Sequence, residues 1–491
     1  MISSRQHASR AVVPESPAAL LANLRRLPLA LGAAFWTLSA PPLFAATWTV
    51  ADCSSGTSGD VASKTGSLRF AAANANDGDT IDMSALTCSS ISLQTGALAL
   101  MQREISLRGP GAKKLTLTGQ YNGASTNDRL IDHMGTGALS ISALTLANGN
   151  LVTDSTPARG GCVYTAGVAN FYDAVVSQCS ATAHQSDARG GGVYAKSGLL
   201  LERSTVSGNV AVSTAPGTSR GGGVDSRDST IQYSTISGNS VSNPGANDVG
   251  GGLYLHDGHV LIRESAIVGN SSDHDDGGVA VLVPESYQVD IGDSTISGNS
   301  AADVTGGAYI GAALVYLYNS TIAFNTAQTS QRNGSAATFA PGLVVGNLHP
   351  GSHTTLYLSS VLLSQNTTGA GENDVSGGTS AATLTITGSN NLVRASGTDV
   401  TVPADTLTNV CPLLGPLRFD GSLTPTHALL TGSPAIDTGR TQFGGLSYDQ
   451  RGSANTNGVY SDGRISGSSA DIGAYEVQQI DIVFNSGFDG C

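Results

Sequence analysis

The 491-residue sequence predicts an all-β parallel solenoid, and three observations carry that expectation. The first is composition. Glycine occurs 62 times, charged residues make up only 12%, and lysine occurs only at Lys64, Lys113, Lys114 and Lys196, whereas a helix-rich chain spends its residues on Lys, Glu, Leu and Ala. The 40% apolar fraction still permits a core, so wholesale disorder is excluded. The second is a repeated Gly-Gly pair, beginning at Gly160, Gly190, Gly221, Gly250, Gly277 and Gly306. The third is a marker, Ser-Thr-Ile-Ser-Gly-Asn or a variant, at Ser204 to Asn209, Ser234 to Asn239, Ser265 to Asn270, Ser294 to Asn299 and Ser320 to Asn325. Both keep one register, with pair spacings of 30, 31, 29, 27 and 29 residues. A fixed period of this size is the signature of stacked repeats.

The elements follow in chain order. Residues 1–45 carry Arg5, Arg10, Arg25 and Arg26 against Glu15, a net +3, and end in the apolar run Leu27 to Ala45. This reads as an export signal cleaved near Ala45 or Ala46, with a membrane anchor as the alternative. The remainder holds −16 of the total −13, a balance that argues against a nucleic-acid partner. Residues 46–90 form an N-terminal cap, in which Ser67 starts a short helix that buries Leu68, Phe70 and Ala71 over the open first coil. Residues 91–410 are the coils. Ile105-Ser-Leu-Arg and Leu115-Thr-Leu-Thr open them, and later segments alternate Val, Ile, Leu or Tyr with polar residues at period two.

Stacking places each strand about 4.8 Å from its equivalent one coil up, with Ile and Val inside. Ile236 is one such inward residue. The terminal Asn of each marker is expected to form a ladder, its amide bonding the next Asn or backbone, and Gly and Asn supply left-handed turns. Residues 411–476 read as an irregular cap over the last coil's edge. In the tail, 477–491, Ile480, Ile482 and Phe484 alternate like a half-buried strand docked on the cap and tied by Cys491, for instance to Cys411. An attachment tag read by another protein is the alternative. The tail is too short and polar to span a bilayer.

The six cysteines, Cys53, Cys88, Cys162, Cys179, Cys411 and Cys491, all follow the expected signal. An even number in an oxidising compartment points to disulfides, with 15 possible connectivities. Cys162 and Cys179 replace, in one coil, both the third Gly of the repeat and its terminal Asn, so a disulfide within that coil explains the joint replacement. No CxxC pair supports a zinc site.

The repeats resemble those of bacterial right-handed parallel β-helix proteins, pectin-lyase-like in fold, including the polymorphic outer membrane protein group. Upstream, Gly66 to Asn74 and Asp77 to Ile81 are similar to the CSLREA segment that opens such exported chains, with Gly66 in place of the Cys. Downstream, Thr426 to Leu430, Gly432 to Asp437, Asp449 to Gly452 and Asp471 to Glu476 resemble the ending of choice-of-anchor Q proteins. The resemblance implies a right-handed parallel β-helix solenoid with a short N-terminal capping helix and an irregular C-terminal cap. It names no activity, because this fold hosts polysaccharide lyases, hydrolases, adhesins and tailspikes.

Two lateral features are candidate sites. Arg159, Arg189 and Arg220 each precede a Gly-Gly pair, and Tyr164, Tyr194 and Tyr254 lie four residues after its first Gly. Stacked, the arginines could grip an acidic polysaccharide while the rings stack on sugars; the plainer reading pairs the arginines with Asp187, Asp225 or Asp248 and packs the rings. The loop of Asp273, His274, Asp275 and Asp276 could take Ca²⁺, although it fits no complete calcium motif and a solvated acidic turn is the plainer reading. No cofactor is otherwise required. Gly217-Thr-Ser219-Arg-Gly221 lies in a repeat loop and not in a nucleophile elbow. Gly109-Pro-Gly-Ala-Lys-Lys114 reads as a turn and not a phosphate loop, and the Pro-Gly between His349 and His353 excludes a helical metal pair. The expectation is therefore a monomeric, secreted or cell-surface β-helix with a structural or adhesive, glycan-binding role. The alternative is a polysaccharide lyase or glycoside hydrolase, with Lys196 or an arginine as the base.

Overall fold

A computed structural model describes residues 45–54, 65–93, 95–121, 124–125, 127–214, 217–244, 248–328, 339–346, 353–377, 383–420, 422–440, 448–452 and 466–478. The expected export signal, and the tail beyond 478 with Cys491, lie outside them.

One coil shows how the repeat folds. Val163–Thr165 and Val168–Tyr172 lie in a first sheet, Val175–Ser177 in a second, Ser180–Ala183 in a third and Ala188–Arg189 in a short fourth. Each strand pairs in parallel with its counterpart one coil on, as in Val163↔Val193↔Val224↔Leu253↔Val279↔Ala308↔Leu343. The sheets so built hold 20, 12, 9 and 3 strands, and the fold is the expected right-handed parallel β-helix, nearly all β. Alternate residues point inward, so Leu117, Leu146, Val176, Val206, Ile236, Ile267, Ile296 and Ile322 stack in one column and all are buried.

Corners need a backbone that turns within one residue, and left-handed residues provide it. Ala143, Asp173, Arg203, Tyr233, Glu264 and Asp293 occupy one corner with φ between 44° and 53°. At the next corner Gly208, Gly238, Gly269 and Gly298 take φ of 61–65°. The left-handed residue of each marker is thus its glycine, and the following asparagine points inward instead. The Gly-Gly pairs also shift in strand register: Asp276 and Thr305, at φ 59° and 61°, stand where the earlier coils have the left-handed first glycine.

The asparagine ladder is present. Asn209 Nδ2 donates to Asn239 Oδ1 at 2.9 Å, and Asn239, Asn270, Asn299 and Asn325 each donate to the next, ending at Asn366. The same oxygens accept a backbone N–H, and the same amides donate to carbonyls such as those of Val206 and Ile236. Ser204, Ser234, Ser265 and Ser294 form a second ladder, each amide donating to the next serine's hydroxyl at 3.1–3.2 Å. These buried bonds satisfy polar groups that would otherwise cost stability inside the corner.

The ladder explains the first disulfide. A Cβ on Gly192, Gly223, Gly252, Gly278 or Gly307 would come within 3.0–3.1 Å of the ladder amides, so that position must be glycine wherever the amide is present. In the first of these coils Cys162 and Cys179 replace both and are joined. Cys53 pairs with Cys88, a connectivity that spacing alone left open. Cys411 is disulfide-bonded as well.

Chain segments pack over both ends. The helix α1 (Leu68–Asn74) is N-capped by Ser67, whose hydroxyl accepts from Phe70 N, and it buries Leu68, Arg69, Ala71 and Ala72. Phe70 is only half-buried and packs edge-on to Trp48, while Arg69 turns inward to donate to the carbonyls of Gly96 and Ala97. At the far end Val400 and Val402 pack against the main core.

The irregular C-terminal segment lies along the outer face of the second sheet. Thr426 and Gln450 meet Thr295, His427 meets Ser297, Ala474 N donates to Thr321, and Gly473 N donates to Ser360. Its apolar residues Leu414, Leu429, Ala435 and Ile472 cover Ala323, Leu362 and Leu392. It was expected over the last edge. It lies on the side, where it covers apolar residues that point outward from the last coils. The motif segments meet there: Arg451 pairs with Asp449 at 2.8 Å and lies 4.0 Å from the Tyr475 ring.

Candidate binding face

The tyrosine positions lie on the outer side of the first sheet and the arginines on the short fourth sheet beside it. Arg159↔Arg189↔Arg220 are aligned partners in the short fourth sheet, as their spacing requires. The neighbouring column on the first sheet runs Asp132↔Tyr164↔Tyr194↔Asp225↔Tyr254. Asp225 therefore belongs to the tyrosine column, which counting four residues from Gly221 would also have found. Period two then puts Lys196, Arg227 and His256, each two residues further on, in a third outward column.

Each guanidinium leans onto the next coil. Arg159 lies 5.4 Å from the centre of the Tyr194 ring and Arg220 5.3 Å from that of Tyr254. Arg129, which precedes no Gly-Gly pair, repeats the contact at 5.2 Å on Tyr164. Tyr164 and Tyr194 are parallel, 2° between planes and 5.7 Å between centres. At Tyr194 and Tyr254 these contacts favour the plainer reading, in which the rings pack. Tyr194 and Tyr254 are only 8% and 7% exposed, and arginines, Tyr164 and His256 already occupy their faces. The rings act as a platform that holds guanidinium groups outward.

The arginines divide over their expected acidic partners. Arg189 pairs with Asp187 at 3.0 Å. Burial opposes its charge, but Asp225 and Asp187 outweigh that and raise its pKa. Asp187 is held below the usual carboxylate range because bonds from Thr218 and Arg189 outweigh its burial. Among the described residues Arg159 and Arg220 form no ion pair within 4 Å, and Asp248 instead accepts from Ser219 N. Asp225 is fully buried and accepts from His256 Nε2 at 3.2 Å, while His256 Nδ1 meets Asp257 at 2.8 Å. Burial works against the imidazolium, yet the two carboxylates raise its pKa. Both ring nitrogens of His256 are engaged by carboxylates, an arrangement that favours the protonated ring.

The acidic loop does not converge. Asp273 is exposed and accepts from Ser242, whereas Asp275 and Asp276 turn into the wall and are 2% exposed. The segment is a turn between two strands, and Asp276 takes a left-handed φ of 59°. Among the described residues no group of three or more His, Cys, Asp or Glu has the geometry to hold a metal ion. Ser219 of the discounted Gly-x-Ser-x-Gly pattern is buried, donates to Ser242 O and accepts from Ser213 N, a structural role. His353 bonds Thr383 across coils, and His349 lies outside the described residues.

No family model matches the chain, and no curated protein matches it. Among solved structures it is similar to pectate lyase Pel9A, with 14% identity and a TM-score of 0.44, over 88% of this chain and 96% of that one. Among the described residues no helix is long and apolar enough to cross a membrane. The disulfides fit an oxidising, extracellular compartment.

Proposed function

We propose that this chain is an exported, monomeric glycan-binding β-helix of structural or adhesive role, which holds an acidic polysaccharide along the arginine column of its short fourth sheet. The observation that carries the reading is the mounting of Arg159 and Arg220 on buried tyrosines, aligned from coil to coil and, among the described residues, without an ion-pair partner. Guanidinium groups fixed in a row lose little freedom on meeting carboxylates, and their planar forks suit them. Lys196 extends the positive rim on the other side of the tyrosine column, where Arg227 pairs with Asp257 at 3.2 Å. The similarity of the C-terminal motifs to choice-of-anchor Q endings supports a surface location.

The test is retention of the purified chain on acidic and neutral polysaccharides, with unsaturated products and reducing ends recorded in parallel. Selective retention on acidic polymers, weakened at least tenfold by Arg159→Ala with Arg220→Ala and without product formation, is the expected result. Unsaturated products would replace the reading with a lyase, Lys196 or an arginine then being the base. Absence of retention would overturn binding altogether.

A further inference from the structure

A second basic feature lies on a different wall of the solenoid and has its origin in one irregular corner. Between the first and second sheets, later coils turn in two residues: Ala143 and Leu144, then Asp173 and Ala174, then Arg203 and Ser204. The coil below spends seven, Gly109 to Leu115, between Arg108 and Thr116. The extra residues fold back as an overhang seated on the coil above. Gly111 N donates to Ala143 O at 2.8 Å, and Thr145 Oγ1 donates to Ala112 O at 2.7 Å. A Cβ on Gly109 would stand 2.2 Å from Ala143 O, so only glycine permits this seating.

The overhang bounds a cleft of about 370 Å³ lined by Gly111 to Lys114, Asp173 to Val175, Arg203 and Thr205. That is near the lower end of small-ligand sites, which span about 300–1,000 Å³. Two of the chain's four lysines, Lys113 and Lys114, stand exposed at its edge, and neither has an ion-pair partner among the described residues. Arg203 forms the opposite wall. It is anchored by Asp173 at 3.0 and 3.2 Å and by Glu202, contacts that raise its pKa despite partial burial. The Asp173 carboxylate would repel an anion, but Arg203 binds both its oxygens. Ala112, Ala174 and Val175 give an apolar lining, and half-buried Thr205 offers a hydroxyl.

We infer that this cleft is a separate binding site for a carboxylate-bearing sugar unit, a uronate, whose carboxylate meets Lys113 and Lys114 while its ring lies against Ala112 and Val175. Two ammonium groups without acidic partners, at a small apolar hollow on a chain of net charge −13, favour an anion that also has a body to bury. The inference does not depend on the arginine column, which lies on the short fourth sheet.

Calorimetric titration of the full chain with galacturonate, glucose and inorganic phosphate at low salt tests it. Saturable galacturonate binding is expected, weakened by added salt, lost at least tenfold in Lys113→Ala with Lys114→Ala, and unchanged in Arg159→Ala with Arg220→Ala. Both lysines are exposed, and matching circular dichroism checks that the variant folds. Lack of saturable binding would overturn the inference, as would binding that survives the lysine changes or disappears with the arginine changes. Phosphate binding as tightly as galacturonate would also overturn it, because the apolar hollow would then have no part in recognition.

Discussion

Gly252 and Asn270 illustrate how single residues set the coil. Asn270 Oδ1 accepts from the backbone and the side chain of Asn239, and its amide donates to Ile236 O and Asn299. Asn270→Ala leaves several buried groups without partners, and a loss of about 2–4 kcal/mol, seen as a lower melting temperature, is expected. Ile236→Asp should be more severe, because a fully buried site offers a carboxylate neither partner nor water. A melting temperature within a degree or two of wild type for Ile236→Asp would contradict the inward assignment. Glu264 is a subtler case. Burial pushes its carboxyl up to about 7, against the pull of Arg263. A raised carboxyl contributes stability in full below its unfolded value of about 4.3, and loses it as pH rises through about 7. Glu264→Gln should therefore raise the melting temperature at pH 8 and change it little at pH 4.

Two elements depend on paired substitutions or paired faces. In the coil of Cys162 and Cys179 the disulfide stands where later coils have glycine and asparagine. Cys179→Asn alone would bring an amide against the Cβ of Cys162, whereas Cys162→Gly with Cys179→Asn extends the ladder through Asn209, whose Oδ1 already accepts from residue 179 N. The double variant should melt above Cys179→Asn, and the reverse order would show that the disulfide has a different origin. The C-terminal segment is held on the second sheet by His427, whose Nδ1 donates to Gly415 O at 2.7 Å while Nε2 accepts from Ser297 at 2.8 Å. Burial lowers its pKa to about 4, with the Gly415 bond pulling the other way. An unfolded histidine takes its proton near 6.5, so this contribution is complete above that pH and is lost as pH falls towards about 4, at most about 3 kcal/mol. Wild type should lose stability over that window, and His427→Gln should flatten the loss; parallel curves would place the acid sensitivity elsewhere.

At the scale of the molecule, a 12-stranded parallel sheet at one coil spacing makes the solenoid roughly 50–55 Å long. Removing residues 411–491 would uncover Ala323, Leu362 and Leu392 on the second sheet and should lead to association or aggregation that the full chain does not show.

Sequence alone determined the repeat and its register, because inward Ile and Val, left-handed Gly and ladder Asn all recur at one period and satisfy the same local needs in every coil. The stacked arginines and the Cys162–Cys179 bond were legible for that reason: in-register stacking turns equal positions into neighbours. Tertiary structure decided what lies between columns. Whether Tyr194 meets solvent or a guanidinium depends on the lean of Arg159 from the coil below, and no period encodes a rotamer. The expected calcium loop split because the chain turns there, with Asp276 in the left-handed region, so that Asp275 and Asp276 are buried while Asp273 stays outside. The C-terminal segment, lacking a repeat, could find its place only by burying Leu414, Leu429 and Ile472 against an apolar strip that exists once the last coils have stacked.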